Sequence, residues 1–249
     1  MVRHRIGNAY NELPALPCGR RLQLEADQDP VPRGAVGLAV WPAAPALCRH
    51  LSRSDRATFG GRRFLELGAG TGAVGLYAAA LGAEVVLTDF RPPGPSRDAL
   101  LEQLRRNVEM NRALFDRPVA TLELEWGNDG QIEAVAAAGP YDLLLGSDVT
   151  YRPGTHAALL HTAALIADAS AAHEGRLGHA LGGFSPPLLL AHHAYGTTSP
   201  LARLLHVQDS KLEHLRQQAE TAGWSRVSEL GRDGGIHILE FGRGPDVKQ

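Results

Sequence analysis

This sequence predicts an α/β fold: a doubly wound, mostly parallel sheet of seven strands that closes in a C-terminal antiparallel hairpin. Three observations carry that reading. Short apolar runs alternate with helical patterns from residue 63 to residue 223, the order that builds parallel strand–helix–strand units. A glycine-rich stretch, Glu66-Leu67-Gly68-Ala69-Gly70-Thr71-Gly72, joins the first apolar run to the first such helix. Near the end of the sequence, Asp233-Gly234-Gly235 separates two strand-like segments with the turn chemistry of a hairpin.

Each element follows from local pattern. Residues 1 to 35 carry scattered proline, glycine and charge, and read as an N-terminal extension with a short hairpin around Leu22 and Leu24; residues 36–249 read as one domain. Residues 41–51 read as a helix with Leu47 and Leu51 on one face and Pro42 in the first turn, where a missing amide hydrogen is tolerated. Strand one is 63–67. A helix over 72–81 follows and stops at Gly82, a residue suited to the left-handed position after a helix. Strand two is 84–88. Leu100, Leu101, Leu104 and Val108 recur at helical spacing and predict a helix over 98–114. Strand three is 119–126, with Leu122 and Leu124 alternating against Glu123 and Glu125. A short helix over 131–138 precedes strand four, 141–146, whose continuous apolar run suits a central parallel strand. A helix over 156–168, strand five over 188–191 with His192, a helix over 209–223, and strands over 225–230 and 236–241 complete the set. The segment 167–187 is rich in alanine, glycine and histidine and has little periodicity.

Bulk properties exclude several function classes. The 249 residues are enough for one large domain with a full core. A net charge of -2 and a pI of about 6.6 provide no basic excess for nucleic acid, so no nucleic-acid partner is expected. Cys18 and Cys48 have no metal-ligand spacing and fit reduced thiols of a cytoplasmic or nuclear protein. No apolar stretch reaches membrane-spanning length, and the first residues, with Arg3, His4 and Arg5, lack an apolar signal core. The histidines at 156, 161, 173, 179, 192 and 193 form no helical pair with an acidic third ligand, so no metal is expected. A Gly-x-Ser-x-Gly nucleophile turn is absent.

The glycine stretch carries the chemistry. Glycines allow a backbone to pass close to a ligand, and the helix start behind them offers unpaired N–H groups. Asp89, which ends strand two, can take both ribose hydroxyls of an adenosine. Two cofactors fit such a unit. Gly70-Thr71-Gly72-Ala73-Val74-Gly75 satisfies the dinucleotide pattern Gly-x-Gly-x-x-Gly. The other register, Glu66-x-Gly68-x-Gly70-x-Gly72, places an acid before the first glycine, where a ligand bearing an ammonium is favoured over pyrophosphate.

That second register resembles motif I of class I S-adenosylmethionine-dependent methyltransferases, with their Rossmann-like sheet. Three further matches narrow the resemblance: Gly37-Leu38-Ala39-Val40-Trp41, Trp126-Gly127 after strand three, and Asp148-Val149-Thr150-Tyr151 after strand four. In this order they resemble the seven-β-strand, non-histone protein lysine methyltransferases, the methyltransferase-like 21 group and its relatives. The resemblance spans residues 34 to 241. It implies S-adenosylmethionine as cofactor, with S-adenosylhomocysteine as product, and a protein substrate methylated on a lysine by a monomeric enzyme. It places Trp41, Glu66, Gly68, Ala69, Gly70, Thr71, Gly72, Asp89, Trp126 and Ser147 around the cofactor. Asp148 then docks the incoming ammonium and Tyr151 aligns the amine. Asn107 and Asn111 match an asparagine-bearing helix of the family, and as helix polar residues they are expected to be exposed. His192-His193-Ala194-Tyr195-Gly196 departs from the more usual arginine-containing segment, and the stretch before it looks inserted. Arginine, histidine or a small molecule therefore stays open as acceptor. An NAD(P)-dependent enzyme and a non-catalytic nucleoside-binding module stay open as other classes.

Overall fold

The computed structural model describes residues 12–26, 36–54, 56–92, 98–173, 185–194 and 209–243. Seven strands form one sheet: β1 (Arg63–Leu67), β2 (Glu84–Asp89), β3 (Val119–Glu123), β4 (Leu143–Ser147), β5 (Leu188–His193), β6 (Arg226–Asp233) and β7 (Ile236–Gly242). Their order across the sheet is β3-β2-β1-β4-β5-β7-β6. The pairs β1–β2, β2–β3, β1–β4 and β4–β5 are parallel, while β7 runs antiparallel to both β5 and β6. The chain steps from β1 outward to β2 and β3, then returns to the other side of β1 as β4. Adjacent loops diverge at that reversal and leave a crevice beyond the carboxyl ends of β1 and β4.

Two layers of helices cover the sheet. α1 (Ala43–Leu51), α2 (Ala73–Ala80) and α3 (Ala99–Asn111) pack on one face, where Leu47, Leu76, Tyr77 and Leu104 are buried with Phe64, Val85 and Leu87 of the sheet. α4 (Asp129–Ala137), α5 (His156–Ala172) and α6 (Ser210–Thr221) cover the other, where Val135, Leu159, Leu215 and Trp224 meet Leu65, Leu67 and Leu144. The central strands are apolar on both faces because both are covered. α2 is buried along its whole length, so it reads as a continuous alanine-rich run without a polar stripe.

The elements expected from residue 41 onward all form among the described residues, with ends moved by up to three residues except at the C-terminus of α5. α1 begins at Ala43, so Pro42 precedes the helix instead of standing in its first turn, and the helix predicted over 98–114 ends in a tighter turn, Arg112–Leu114. α5 runs on to Ala172, four residues past the predicted end. The segment 174–184, most of the biased stretch, lies outside the described residues, as do Tyr195 and Gly196.

Two expectations need correction. The hairpin expected around Leu22 and Leu24 does not form; the described part of that segment lies on the helical layer, with Leu13, Leu16 and Ala26 in the same core as α1 and α2. Asn107 and Asn111 are buried, not exposed. They hold the segment down by reproducing the hydrogen bonds of a neighbouring strand. Gln23 N–H donates to Asn111 Oδ1 at 2.8 Å and Asn111 Nδ2 donates to Gln23 O at 2.7 Å. Glu25 N–H donates to Asn107 Oδ1 at 2.7 Å, while Asn107 Nδ2 donates to Glu25 O at 3.1 Å and to Thr71 O at 2.9 Å. An asparagine side chain carries one donor and one acceptor in the plane of an amide, so it can pair with a backbone as a peptide does. The four-residue spacing puts both on one stripe of α3.

Candidate functional site

A cavity of about 550 Å³ occupies the crevice at the carboxyl ends of β1, β2 and β4, a volume typical of cofactor sites. Of the residues singled out from sequence, Trp41, Gly68, Ala69, Gly70, Thr71, Asp89, Trp126, Ser147, Asp148 and Tyr151 line it. Glu66 and Gly72 do not.

Glu66 is displaced from the expected place by strand geometry. Successive side chains of β1 alternate between faces, so with Leu65 and Leu67 turned toward α5, Glu66 turns beneath α2. Its carboxylate is 1% exposed and accepts the Gly75 N–H at 2.8 Å. Burial pushes its pKa up to about 8, against the pull of the Gly75 hydrogen bond, with Asp89 adding a push in the same direction as burial. It therefore braces the helix behind the glycine turn and has no contact with the cavity. Gly75 is fitted to this arrangement: a Cβ there would lie 2.2 Å from Leu87 Cδ2 and 2.6 Å from Glu66 Oε2. Gly72, the residue before α2, has a left-handed backbone and packs against Leu104 instead of the cavity.

The turn itself needs its glycines. Gly68 has φ +62°, and a Cβ on it would meet Val149 Cγ1 at 2.7 Å and Trp126 Cζ2 at 3.2 Å. Gly70 has φ +55°, and a Cβ there would meet the Gly37 carbonyl at 2.9 Å. The N-terminal segment 37–41 thus crosses directly over the turn and brings Trp41, 36% exposed, to the rim.

Asp89 fixes the second wall. Its Oδ2 accepts the Gly70 N–H at 2.7 Å and its Oδ1 accepts the Phe90 N–H at 2.8 Å. Burial raises its pKa to about 6, while these two N–H groups oppose the rise. Hydroxyl donors arriving at this carboxylate favour its ionised form. Trp126 is half-buried beyond β3 on the same side. Sequence reading missed Phe90, exposed beside Asp89, although an aromatic residue directly after the acid was a visible signal. It also missed Arg152, whose guanidinium stacks 5.3 Å from the Tyr151 ring centre, and Lys211 at the start of α6.

The loop after β4 forms the third wall. Asp148 has φ +54°, a conformation that aspartate tolerates better than most residues. Its Oδ2 accepts the Ala43 N–H at 2.9 Å, the amide that opens α1, so its carboxylate is aimed by a bond across 105 residues. Thr150, one residue before Tyr151, is held from behind. His192 Nε2 lies 2.7 Å from Asp209 Oδ2, and His192 Nδ1 lies 2.6 Å from Thr150 Oγ1. A carboxylate only accepts, so Nε2 carries the hydrogen and Nδ1 accepts from the threonine hydroxyl. Burial lowers the His192 pKa despite Asp209, which keeps the ring neutral in that tautomer. Burial works to raise the Asp209 carboxyl, but His192 and the N–H groups of Leu212 and Lys211 hold it below the usual range. The departure at His192 is therefore a support for the loop carrying Asp148 and Tyr151. His156 serves the same loop, with Nε2 2.9 Å from Thr150 O. Among the described residues no group of three or more His, Cys, Asp or Glu is arranged to hold a metal ion.

A family model described as lysine methyltransferase matches residues 20–172, more than half of the chain. The chain belongs to that family. The match contains the glycine turn, Asp89, Trp126 and the loop from Asp148 to Tyr151, and ends before β5. The chain is similar to the protein N-lysine methyltransferase METTL21A of Danio rerio, 38% identical over 130 residues that cover 52% of this chain and 55% of that one. It is similar also to the EEF1A lysine methyltransferase 3 of Mus musculus, 37% identical over 145 residues, 58% of this chain and 56% of that one. The chain thus spans about half the length of the curated relatives it matches. Among solved structures, the magnesium protoporphyrin IX methyltransferase of Synechocystis PCC 6803 with bound SAH shares the fold at TM-score 0.50 and 15% identity, over 81% of each chain.

Proposed function

We propose that this family member is an S-adenosylmethionine-dependent methyltransferase that modifies a lysine side chain of a protein. The observation that carries the reading is that one cavity is lined both by the glycine turn and Asp89 and by Asp148 and Tyr151. The residues present fit the cofactor. The turn keeps its backbone at the cavity and its close neighbours in place only because Gly68 and Gly70 lack side chains, Asp89 offers a carboxylate to a ribose diol, and Trp126 offers a ring edge or face to adenine. When bound, S-adenosylmethionine supplies an electrophilic methyl group on a sulfonium.

The chain's own residues then act on the acceptor. A lysine with a pKa of about 10.4 is almost entirely ammonium at neutral pH, so presenting its lone pair costs about 4–5 kcal/mol. Asp148 captures the ammonium, aimed by its bond to Ala43. Capture favours the charged form, so the proton is lost through desolvation and through the neighbouring positive charge, not through Asp148 as a strong base. Tyr151 offers its ring to the cation and its hydroxyl to the amine. The free cysteines Cys18 and Cys48 support action in a reducing compartment, the cytoplasm or also the nucleus. A monomer acting without nucleic acid completes the reading.

Methyl transfer from radiolabelled S-adenosylmethionine into lysate protein tests it. Acid hydrolysis of the labelled protein is expected to yield methyllysine. Label confined to methylarginine, methylhistidine or small molecules overturns the acceptor, and no transfer at all overturns the activity.

A further inference from the structure

Lys211 is one of only two lysines in the sequence, and the other, Lys248, lies outside the described residues. Basic residues are otherwise arginine throughout. Lys211 nevertheless lines the cavity that contains the glycine turn, Asp89, Asp148 and Tyr151. Its place there is fixed by bonds that run directly to the acceptor loop. Thr150 Oγ1, His192 and Asp209 form one hydrogen-bonded chain, and Asp209 Oδ1 accepts the Lys211 N–H at 3.0 Å and the Leu212 N–H at 3.3 Å. The loop at Thr150, between the cavity residues Val149 and Tyr151, and the helix start at Lys211 are therefore one unit. The position is unfavourable for a cation on helix grounds: Lys211 stands in the first turn of α6, at the positive end of the helix dipole. Its charge also opposes protonation of His156, His192 and His193. Arginine, used elsewhere, carries the same charge but no nucleophilic amine.

We propose that Lys211 is a methyl acceptor within the same molecule: the enzyme methylates its own α6. The inference rests on the methyltransferase reading above. Lys211 Nζ loses a proton to water and forms the new N–CH3 bond. The S–CH3 bond of the sulfonium donor breaks with its electron pair retained by sulfur, leaving the thioether product.

Two measurements on the full chain test this. First, the chain is incubated with S-adenosylmethionine alone and its lysine peptides are mapped by mass spectrometry. One or more methyl groups are expected on Lys211 and none on Lys248, at a rate per molecule that does not change with enzyme concentration. Lys211→Arg is expected to lose the label and Lys248→Arg to keep it. Second, an amine-acylating reagent is applied without any methyl donor. At S-adenosylhomocysteine ten times its dissociation constant, Lys211 acylation is expected to slow about ten-fold, with Lys248 unaffected. Lys211 left unmethylated by an enzyme that labels lysate protein overturns the inference and leaves the proposed function standing. So does a rate per molecule that rises in proportion to concentration, or a Lys211 that the product does not protect. Absence of methylation in both chain and lysate, with no protection of Lys211, overturns both.

Discussion

Replacing Glu66 by glutamine separates the bracing role of this carboxylate from the cofactor contact expected of it. Glu66 is 1% exposed, its Oε2 accepts the Gly75 N–H at 2.8 Å, and burial pushes its pKa to about 8. In an unfolded chain a glutamate titrates near 4.3. Between those values the native state holds a proton that the unfolded chain has already released, so stability falls as pH rises through the window. From pH 6 to pH 8 the unfolded group is ionised throughout and the native group passes from protonated to half-ionised. At 1.36 kcal/mol per unit, this one residue costs the wild type about 2 kcal/mol across that interval. Glutamine keeps the volume and an oxygen for Gly75, and does not titrate. The stability of Glu66→Gln relative to wild type should therefore rise by about 2 kcal/mol from pH 6 to pH 8. The histidines titrate alike in both proteins and cancel in the difference. Urea unfolding at pH 6, 7 and 8 measures it. A difference that stays flat with pH would refute the claim that Glu66 is buried and protonated under α2. Loss of S-adenosylhomocysteine affinity without any stability change would return Glu66 to the cofactor.

Asp89→Ala should weaken S-adenosylhomocysteine binding by about ten-fold or more, since a charge-assisted hydrogen bond is worth roughly 1.5–3 kcal/mol. In the wild type that affinity should also fall as pH drops through about 6, where Asp89 takes up its proton. Calorimetry over pH reads both, and a variant with wild-type affinity would place the ribose elsewhere. Asn107→Ala should cost about 2–4 kcal/mol, because it leaves Glu25 N–H and Thr71 O without their partner. It should loosen the glycine turn at the same time, so both the unfolding midpoint and the cofactor affinity should fall. An unchanged midpoint would show that water replaces the asparagine at no cost.

Most of the fold was legible because its signals are local. Strand β1 was placed correctly to the residue because Arg63 opens and Gly68 closes a short apolar run, and α2 to within one residue at each end because Gly82 stops it. The cavity wall was legible for a different reason: in a doubly wound sheet the residues at strand ends converge, so Asp89, Trp126 and Asp148 could be grouped before any contact was known. What failed was direction. Glu66 sits at the right strand end, but period two turns it to the opposite side of the wall from the cavity. Asn107 and Asn111 were misjudged because asparagine in a helix is ordinarily exposed, and their partner is a backbone segment more than eighty residues away. The same holds for the chain from Thr150 through His192 to Asp209: no spacing rule connects residues on β5 and α6 to the loop after β4. The acid–histidine–hydroxyl order appears only once β4 and β5 pair.

The most direct test of the central claim, that one cavity holds cofactor at one end and acceptor at the other, is Asp148→Asn. Asparagine can keep the bond from Ala43 N–H and tolerates the left-handed backbone at this position, so only the charge is lost. The dissociation constant of S-adenosylhomocysteine and methyl transfer into lysate protein are measured on the same preparation. The dissociation constant should stay within about three-fold of wild type while transfer falls at least ten-fold, the effect of losing one charge-assisted contact to the ammonium. Equal losses of cofactor binding and transfer would move Asp148 to the cofactor and contradict the division of the cavity.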